Sequence, residues 1–503
     1  MLLTASQMRA LDQRTIDEIG IPSLVLMETA GVAVSNQVEA LIDDFGLEAP
    51  RILLFAANGN NGGDALVATR HLVNAGFEAA AVLVRDPTRG SNDFLRQLSI
   101  LQKLNVEIIS LFDSPSAAEI EDVLECCDVV VDGIFGTGLK RPIEGDIALL
   151  IQSINARELP VVAIDLPSGI DADTGQIHGE AFEATTTVAL GAAKCGHVLF
   201  PGRQCSGEVE VVDIGIPYEL FQDVEPAATI VDEDYLQWAI PERVANSHKG
   251  TYGHLLMVAG TPSSPGAALL AGRAGLRAGT GLVTLGSCEE TIRRLAPSLE
   301  TLMGASLGTH KIEAREVQAS LQNATALAMG PSLIPDNALS KLLEEVLPNA
   351  NLPVVLDAGA LMALSPEPEW LSSRKYPTVL TPHPGEMRHL TRLDTFSIQS
   401  NRIEVARRAA HDWGCTIVLK GASTVIADPD GEVGIIVAGN PGLATAGTGD
   451  VLLGIIAGLL AQGLPASIAA RAGSFVHARA GDRVAAELGS SALIASDLLT
   501  ELW

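Results

Sequence analysis

Short runs of aliphatic and β-branched residues alternate with stretches of helical period along the whole chain, which confines it to helices packed on parallel sheets. The first set of runs is RILLFA (51–56), AAAVLV (79–84), VEIIS (106–110), DVVVDGIF (128–135), LPVVAIDL (159–166), TTTVAL (185–190) and VEVVDIGIP (209–217). The acidic, aperiodic stretch QDVEPAATIVDED (222–234) follows, and a linker is assigned to 223–234. The second set is HLLMVAGT (254–261), GLVTL (281–285), TALAMG (325–330), LPVVLDAGAL (352–361), TVLTPHPGE (378–386) and TIVLKG (416–421). TVIADPDGEVGIIV then reads as a hairpin turning at Asp428 to Gly431. Two α/β domains in series are expected, over residues 1–222 and 235–503. In such sheets ligands sit at the carboxyl ends of strands, so functional residues are sought just after each run.

Composition narrows the function. A chain of 503 residues, 47% apolar and 4% aromatic, is a soluble globular protein able to bury several cores. The formal charge of −28 leaves no basic stripe for a phosphate backbone, which excludes nucleic acid and anionic membranes as partners. Small-molecule anions must therefore be held locally, by backbone amides and a few cations. Six cysteines, at 126, 127, 195, 205, 288 and 415, show neither metal-ligand nor redox spacing and suit a reducing compartment. The opening MLLTASQMRALDQRTIDE reaches charge before any long apolar stretch, and the run after Asp450 is too short and too glycine-interrupted to span a bilayer. A cytoplasmic protein is expected.

Three glycine-rich, Asp-bearing segments follow strands in the first domain. After RILLFA comes ANGNNGGDALVATRHL, read as a turn leading into an amphipathic helix with Leu66, Arg70 and Val73 on one side. After DVVVDGIF comes GTGLKRP, and after LPVVAID comes LPSGIDADTG. Turn chemistry accounts for any one of these alone, but three at three strand ends converge on one crevice. Asp165 is the first candidate for acid–base chemistry and Lys194, in GAAKCGH, the second.

NNGGD (60–64), DGIFGTG (132–138) and DLPSGIDADTG (165–175) resemble the NAD(P)H-hydrate epimerase family, the N-terminal domain of YjeF-type proteins, over about residues 1–220. The resemblance implies a Rossmann-like three-layer α/β/α domain. It also implies a nicotinamide substrate contacted by Asn60, Asn61, Gly62, Gly63 and Asp64, and by Gly136, Thr137, Gly138, Leu139, Lys140, Arg141 and Pro142. A potassium ion is implied at Asn61, Asp132 and Ser168, whose oxygens suit a hard cation. The chain departs from the family at Ala65, where glycine is usual.

In the second domain, GNPGLATAGTGD (439–450) precedes an apolar helix yet lacks the lysine of a P-loop. An acid there makes sense if backbone amides at a helix start hold a nucleotide's phosphates, leaving Asp450 as general base toward a hydroxyl of the other substrate. GTGD (447–450) is similar to the GAGD signature of the ribokinase-like superfamily. PGAALLAGRAGLRAGTGLVTL, AMGPSL, VVLDAGAL, TPHPGEM, LKGASTVI and GNPGLATAGTGDVLLG, in that order, resemble the ADP/ATP-dependent NAD(P)H-hydrate dehydratase over about residues 230–503. The match implies Ala267, Gly330, His383 and Asp450 around the hydrate. It implies Lys420, Gly421, Ala422, Ser423 and Thr424, with Gly439, Asn440, Pro441, Gly442, Leu443, Ala444, Thr445, Ala446, Gly447, Thr448 and Gly449, around the nucleotide. Mg²⁺ accompanies the ADP or ATP, and Ser332 stands where many relatives have glycine.

The resemblances together imply a bifunctional metabolite repair enzyme, an isomerase fused to a lyase. One domain equilibrates the R and S hydrates; the other phosphorylates the S form's hydroxyl and eliminates phosphate to regenerate NADH or NADPH. The rival readings are a vitamin or sugar kinase that stops at the phosphoester, and a first domain that only binds. A homo-oligomer is expected, of unspecified subunit number.

Overall fold

The computed structural model describes residues 1–112 and 115–503 and divides into two compact units, Met1–Ala227 and Ala228–Trp503. The stretch assigned as linker is shared between them. Within the first unit the Ala227 N–H donates to the Leu2 carbonyl at 3.0 Å, whereas Thr229–Ile230 is a strand of the second unit's sheet. Two β-branched residues among acids are too few to display a period, so this strand has no sequence signal.

The first unit is a seven-stranded, wholly parallel sheet. Its strands are β1 (Arg51–Ala56), β2 (Glu78–Leu83), β3 (Ile108–Ser110), β4 (Val129–Gly133), β5 (Val161–Ile164), β6 (Thr186–Leu190) and β7 (Glu208–Val212), in the order β3-β2-β1-β4-β5-β6-β7. Side chains alternate between two cores: Ile52, Leu54 and Ala56 join one cluster, Leu53 and Phe55 the other. The chain order reverses between β1 and β4, which opens a crevice beyond their carboxyl ends. NNGGD is not a free turn but the first turn of the helix Asn60–Asn74. The helix starts early because Gly62 lets it sit directly on the Ala57 carbonyl, where any Cβ would collide.

The second unit carries ten strands: β8 (Thr229–Ile230), β9 (His254–Val258), β10 (Leu282–Ser287), β11 (Met303–Ser306), β12 (Ala326–Met329), β13 (Val354–Leu356), β14 (Thr378–Leu380), β15 (Thr416–Leu419), β16 (Thr424–Ala427) and β17 (Val433–Ile436). Their order is β11-β10-β9-β12-β13-β14-β15-β16-β17-β8, with the β15-β16 and β16-β17 pairs antiparallel, so the hairpin forms where expected. β11, sequence MGAS, lacks the β-branched residues that announce a strand and was not expected. Here the order reverses between β9 and β12.

The apolar segment after Asp450 is the helix Thr448–Ala461, buried along nearly its whole length. Its glycines admit the helix Gly266–Arg277: a Cβ on Gly454 would strike the Ala271 carbonyl, and one on Gly458 would lie 2.7 Å from the Gly275 carbonyl oxygen. Among the described residues no helix is long and apolar enough to cross a membrane.

Gly454→Ala should destabilise the second unit by about 1–3 kcal/mol, the usual scale of overpacking. All four tryptophans (238, 370, 413 and 503) belong to this unit, so the tryptophan-fluorescence midpoint in urea should fall. An unchanged midpoint would contradict the close helix contact.

Candidate functional sites

In the first unit a cavity of about 490 Å³ opens at the β1/β4 switch point. Asn60, Asn61 and Asp64 line it from the end of β1, Gly136, Thr137, Gly138 and Leu139 from the end of β4, and Asp165 from the end of β5. One face of the helix Ala5–Arg14 closes it with Met8, Arg9 and Asp12. Gly62 and Gly63 do not line the cavity; they make room for Ala57 and Met27. Lys140, Arg141 and Pro142 are exposed and lie outside the lining.

Asp165 sits at φ +66, an uncommon conformation for a residue with a side chain and one found at strained functional positions. Its Oδ1 accepts from Lys194 Nζ and, at 3.2 Å, from the Leu190 N–H. Lys194 is fully buried and also donates to the Leu190 carbonyl at 2.9 Å, so it is no solvated surface lysine. His197 locks this turn: its Nδ1 accepts from the Lys194 N–H at 3.0 Å, which leaves the Nε2–H to donate to the Asp165 carbonyl at 2.8 Å. Burial, aided by the Lys194 charge, lowers the His197 pKa to about 4 and keeps the ring neutral. The one lysine bonds Asp165 and acts on Asp12 only through its charge. Burial, then repulsion from Asp165, raises Asp12 to about 6; the same effects hold the fully buried Asp64 well above its ordinary value.

Asp132 and Ser168 meet below the crevice. The Ser168 N–H donates to Asp132 Oδ2 at 2.6 Å and its hydroxyl to Oδ1 at 2.7 Å. The Ile134 N–H adds a bond at 3.1 Å. These donors are neutral, and burial still raises Asp132 to about 6. A fully buried carboxylate held only by neutral donors fits a counter-cation, as do the oxygens of Ser168 and Asn61. The Asn61 Nδ2 is buried with no partner, so rotating the amide breaks no hydrogen bond at that nitrogen.

In the second unit Asp357 follows β13, His383 and Glu386 follow β14, Lys420 follows β15, and Asp450 lies in the first turn of the helix Thr448–Ala461. Lys420 Nζ lies 2.7 Å from Asp357 Oδ1 and 3.7 Å from Glu386 Oε2. Burial alone would lower the Lys420 pKa, but Asp357 and Glu386 outweigh it and the ammonium stays charged. Asp450 is raised to about 7 by burial and then by Asp357, with Lys420 pulling the other way. A Cβ on Gly449 would lie 3.6 Å from Lys420 Nζ and 3.8 Å from Asp357 Oδ2, so the loop glycine faces the ion pair directly. His383 caps the helix Pro384–Thr391 through Nδ1, which accepts from the Gly385 N–H at 3.0 Å, while Glu386 accepts from the His383 N–H at 2.8 Å.

The 439–449 loop is fixed from behind. Asp482 accepts from the Gly439 N–H at 2.8 Å and from Asn440 Nδ2 at 2.9 Å, and Thr448 Oγ1 donates to the Leu443 carbonyl at 2.8 Å. His477, half-buried and lowered to about 4 chiefly by desolvation, donates to the Thr448 carbonyl at 2.9 Å. Gly447, at φ +93, turns the chain into the helix; the Thr448 N–H reaches back to the Thr445 carbonyl at 3.4 Å, and the Gly449 and Asp450 N–H groups that follow have no carbonyl in the preceding turn. Such a helix start receives an anion. Gly421 (φ +145) shapes the 420–424 turn, and the buried Arg402 guanidinium donates to the Leu419 and Lys420 carbonyls at 2.9 and 3.3 Å. Gly330 (φ +143) lies against the Asp357 carbonyl, Ser332 adopts φ +56, a geometry that glycine takes without strain, and Ala267 lies in the first turn of Gly266–Arg277. Among the described residues no group of three His, Cys, Asp or Glu side chains could hold a metal. Magnesium, which needs only one or two carboxylates beside phosphate oxygens and water, fits as an ion carried in by a nucleotide.

Sequence reasoning missed Asp12, His197, Asp357, Glu386, His477 and Asp482. Asp357 and Glu386 stood inside quoted motifs at strand ends, and strand-end position was the signal available. Asp12 and Asp482 sit on helices, where nothing local distinguishes them from solvated acids.

Two families match the chain: one described as YjeF-related protein N-terminus over residues 23–196, and NAD(P)H-hydrate dehydratase over residues 255–502. The bifunctional NAD(P)H-hydrate repair enzyme Nnr of Moorella thermoacetica is 41% identical over 504 residues, covering 99% of this chain and 95% of that protein. The Escherichia coli protein of the same name is 32% identical, covering 99% and 92%. The crystal structure of ADP/ATP-dependent NAD(P)H-hydrate dehydratase from Bacillus subtilis, co-crystallized with ATP/Mg²⁺, is 34% identical with a TM-score of 0.50, covering 55% of this chain and 96% of that one.

Replacing Lys194 by Met leaves Asp165 without its cation in a buried setting and should cost about 3–5 kcal/mol of local stability. Hydrogen exchange of amides in β5, β6 and the 191–200 turn should accelerate while that of the second unit stays put. Unaltered exchange would show the pair to be dispensable.

Proposed function

This chain belongs to the bifunctional NAD(P)H-hydrate repair enzyme family, and on that premise we propose how its residues perform the two reactions. It is an enzyme of two activities: an NAD(P)H-hydrate epimerase in the first unit and an ADP/ATP-dependent NAD(P)H-hydrate dehydratase in the second. Its fold is α/β throughout, with a ribokinase-like second unit.

The observation that carries the dehydratase reading is Asp450 at a helix start, beside Lys420 and behind a loop free to receive phosphate. Asp450 takes the proton of the hydrate's hydroxyl, and the oxygen accepts the terminal phosphoryl group of ADP or ATP. Gly439 to Gly449 and the 420–424 turn hold the nucleotide, with backbone N–H groups meeting the charge that grows on the transferring group. Ala267, Gly330 and His383 border the hydrate. Phosphate is a far better leaving group than hydroxide, so the ring nitrogen's lone pair expels it and loss of a ring proton restores the reduced nicotinamide. Magnesium, when bound, supplies charge neutralisation on the phosphates.

In the first unit Asn60, Asn61, Asp64 and the 136–139 segment receive the hydrated nicotinamide, and Asp165, oriented by Lys194, exchanges a proton with it. Asn61, Asp132 and Ser168 would hold potassium, which would offset the buried Asp132 charge between the ends of β4 and β5. The unit returns the R epimer to the pool that the second unit consumes.

Asp450→Asn should retain nucleotide binding and lose dehydration by about two to four orders of magnitude. A base must be ionised to act, and the Asp450 pKa is about 7, so kcat/KM for dehydration should fall tenfold per unit below that pH and level off above it. Asp357→Asn removes a like charge and should move that limb to lower pH. Near-normal turnover of Asp450→Asn, or a limb that Asp357→Asn leaves in place, would end the assignment.

A further inference from the structure

The cavity of the first unit holds an acid that neither the motifs nor the proposed epimerase reading employs. Asp12 lies on the helix Ala5–Arg14, one turn from Met8 and Arg9, and these three face the cavity opposite the strand-end residues. Its Oδ1 is buried and has no hydrogen-bond partner. A buried carboxyl oxygen without a partner is costly and rare, and this one borders the space in which the hydrate sits. Arg9, its neighbour on that face, is directed elsewhere, donating to the Thr137 carbonyl at 3.3 Å.

The charges around it divide the labour. Lys194 and the Leu190 N–H both engage Asp165 Oδ1, which sets a cation and a backbone donor against that carboxylate. Asp165 in turn repels a second charge on Asp12 and on Asp64. Asp64 is buried, and desolvation followed by repulsion from Asp165 holds its pKa well above the ordinary carboxylate range. Asp12 is the more accessible of the two and holds its proton close to the working pH, the condition for efficient transfer. Two carboxyl groups so differently surrounded, one against a cation and the other with an unpartnered oxygen facing the cavity, divide into a base and an acid.

We propose that Asp12 is the general acid of the epimerase, paired with Asp165 as its base. This rests on the first unit acting as an epimerase. The Asp12 carboxyl gives its proton to the hydroxyl of the hydrated ring carbon, the C–O bond breaks with both electrons going to oxygen, and water departs. The ring nitrogen's lone pair forms the C=N bond of a conjugated iminium. Water adds to the opposite face, Asp165 takes the proton it sheds, and the electrons of the C=N bond return to nitrogen. One water leaves and one enters, with no oxidation or reduction. The proton passes from Asp165 back to Asp12 through solvent, or serves the reverse inversion.

The test uses the full chain with the purified R epimer, ADP and Mg²⁺, with the second unit as an internal control on the S epimer. Asp12→Asn should lower inversion by about a hundredfold or more, through kcat rather than KM, with dehydration of the S epimer unchanged. Asp12→Glu, which keeps a carboxylic acid there, should recover at least part of the loss. In ¹⁸O-labelled water, the wild type should place label in the hydroxyl of each inverted molecule. Inversion by Asp12→Asn at the wild-type rate, equal losses in the Asn and Glu variants, or inversion without label would each overturn the role. The reading beneath it fails separately, if the wild type does not speed inversion or Asp165→Asn inverts normally.

Discussion

A lysine paired with an aspartate at the carboxyl edge of a sheet organises each unit: the buried Lys194 with Asp165 in the first, the half-buried Lys420 with Asp357 in the second. In both, one ammonium stands among more carboxylates than it can neutralise. The surplus carboxyls are forced to share protons near neutrality, Asp12 in one case and Asp450 in the other. Desolvation pushes a buried acid up, and in each unit the acid so raised is one that the lysine does not bond directly. Acid–base chemistry at neutral pH follows from that imbalance rather than from an unusual residue.

The sheets supply the geometry. Each reverses its strand order once, between β1 and β4 and between β9 and β12, and the chain ends that diverge there leave room for a ligand. Glycines work at these edges mainly by letting backbone approach backbone: Gly62 on Ala57, Gly330 on Asp357. The same device sets the helix Thr448–Ala461 against Gly266–Arg277, so Asp450 in its first turn is positioned by packing about one and two turns further along.

Much of this was legible. Long apolar runs marked nearly every strand because both faces are covered; strand-end position pointed to Asp165, the glycine-rich loop before an apolar helix to Asp450, and the family resemblance to Asp132. What escaped has physical reasons. β8 and β11 are too short or too poor in β-branched residues to register, and NNGGD reads as a turn because its helical conformation depends on contact with Ala57. Asp12 reaches its cavity from a helix 153 residues before its partner in sequence, a proximity no local pattern encodes. Lys194, a lone lysine beside a cysteine, carries no sign that it is fully buried.

The central claim is that two sites of one chain act in series, the first converting the epimer the second cannot use. Supplying the purified R epimer with ADP and Mg²⁺ and following reduced-nicotinamide absorbance tests it most directly. The account predicts a lag before recovery, absent when the S epimer is supplied, and in Asp165→Asn a recovery slowed to the spontaneous rate of inversion. Immediate, full-rate recovery from the R epimer in the Asp165→Asn chain would contradict it.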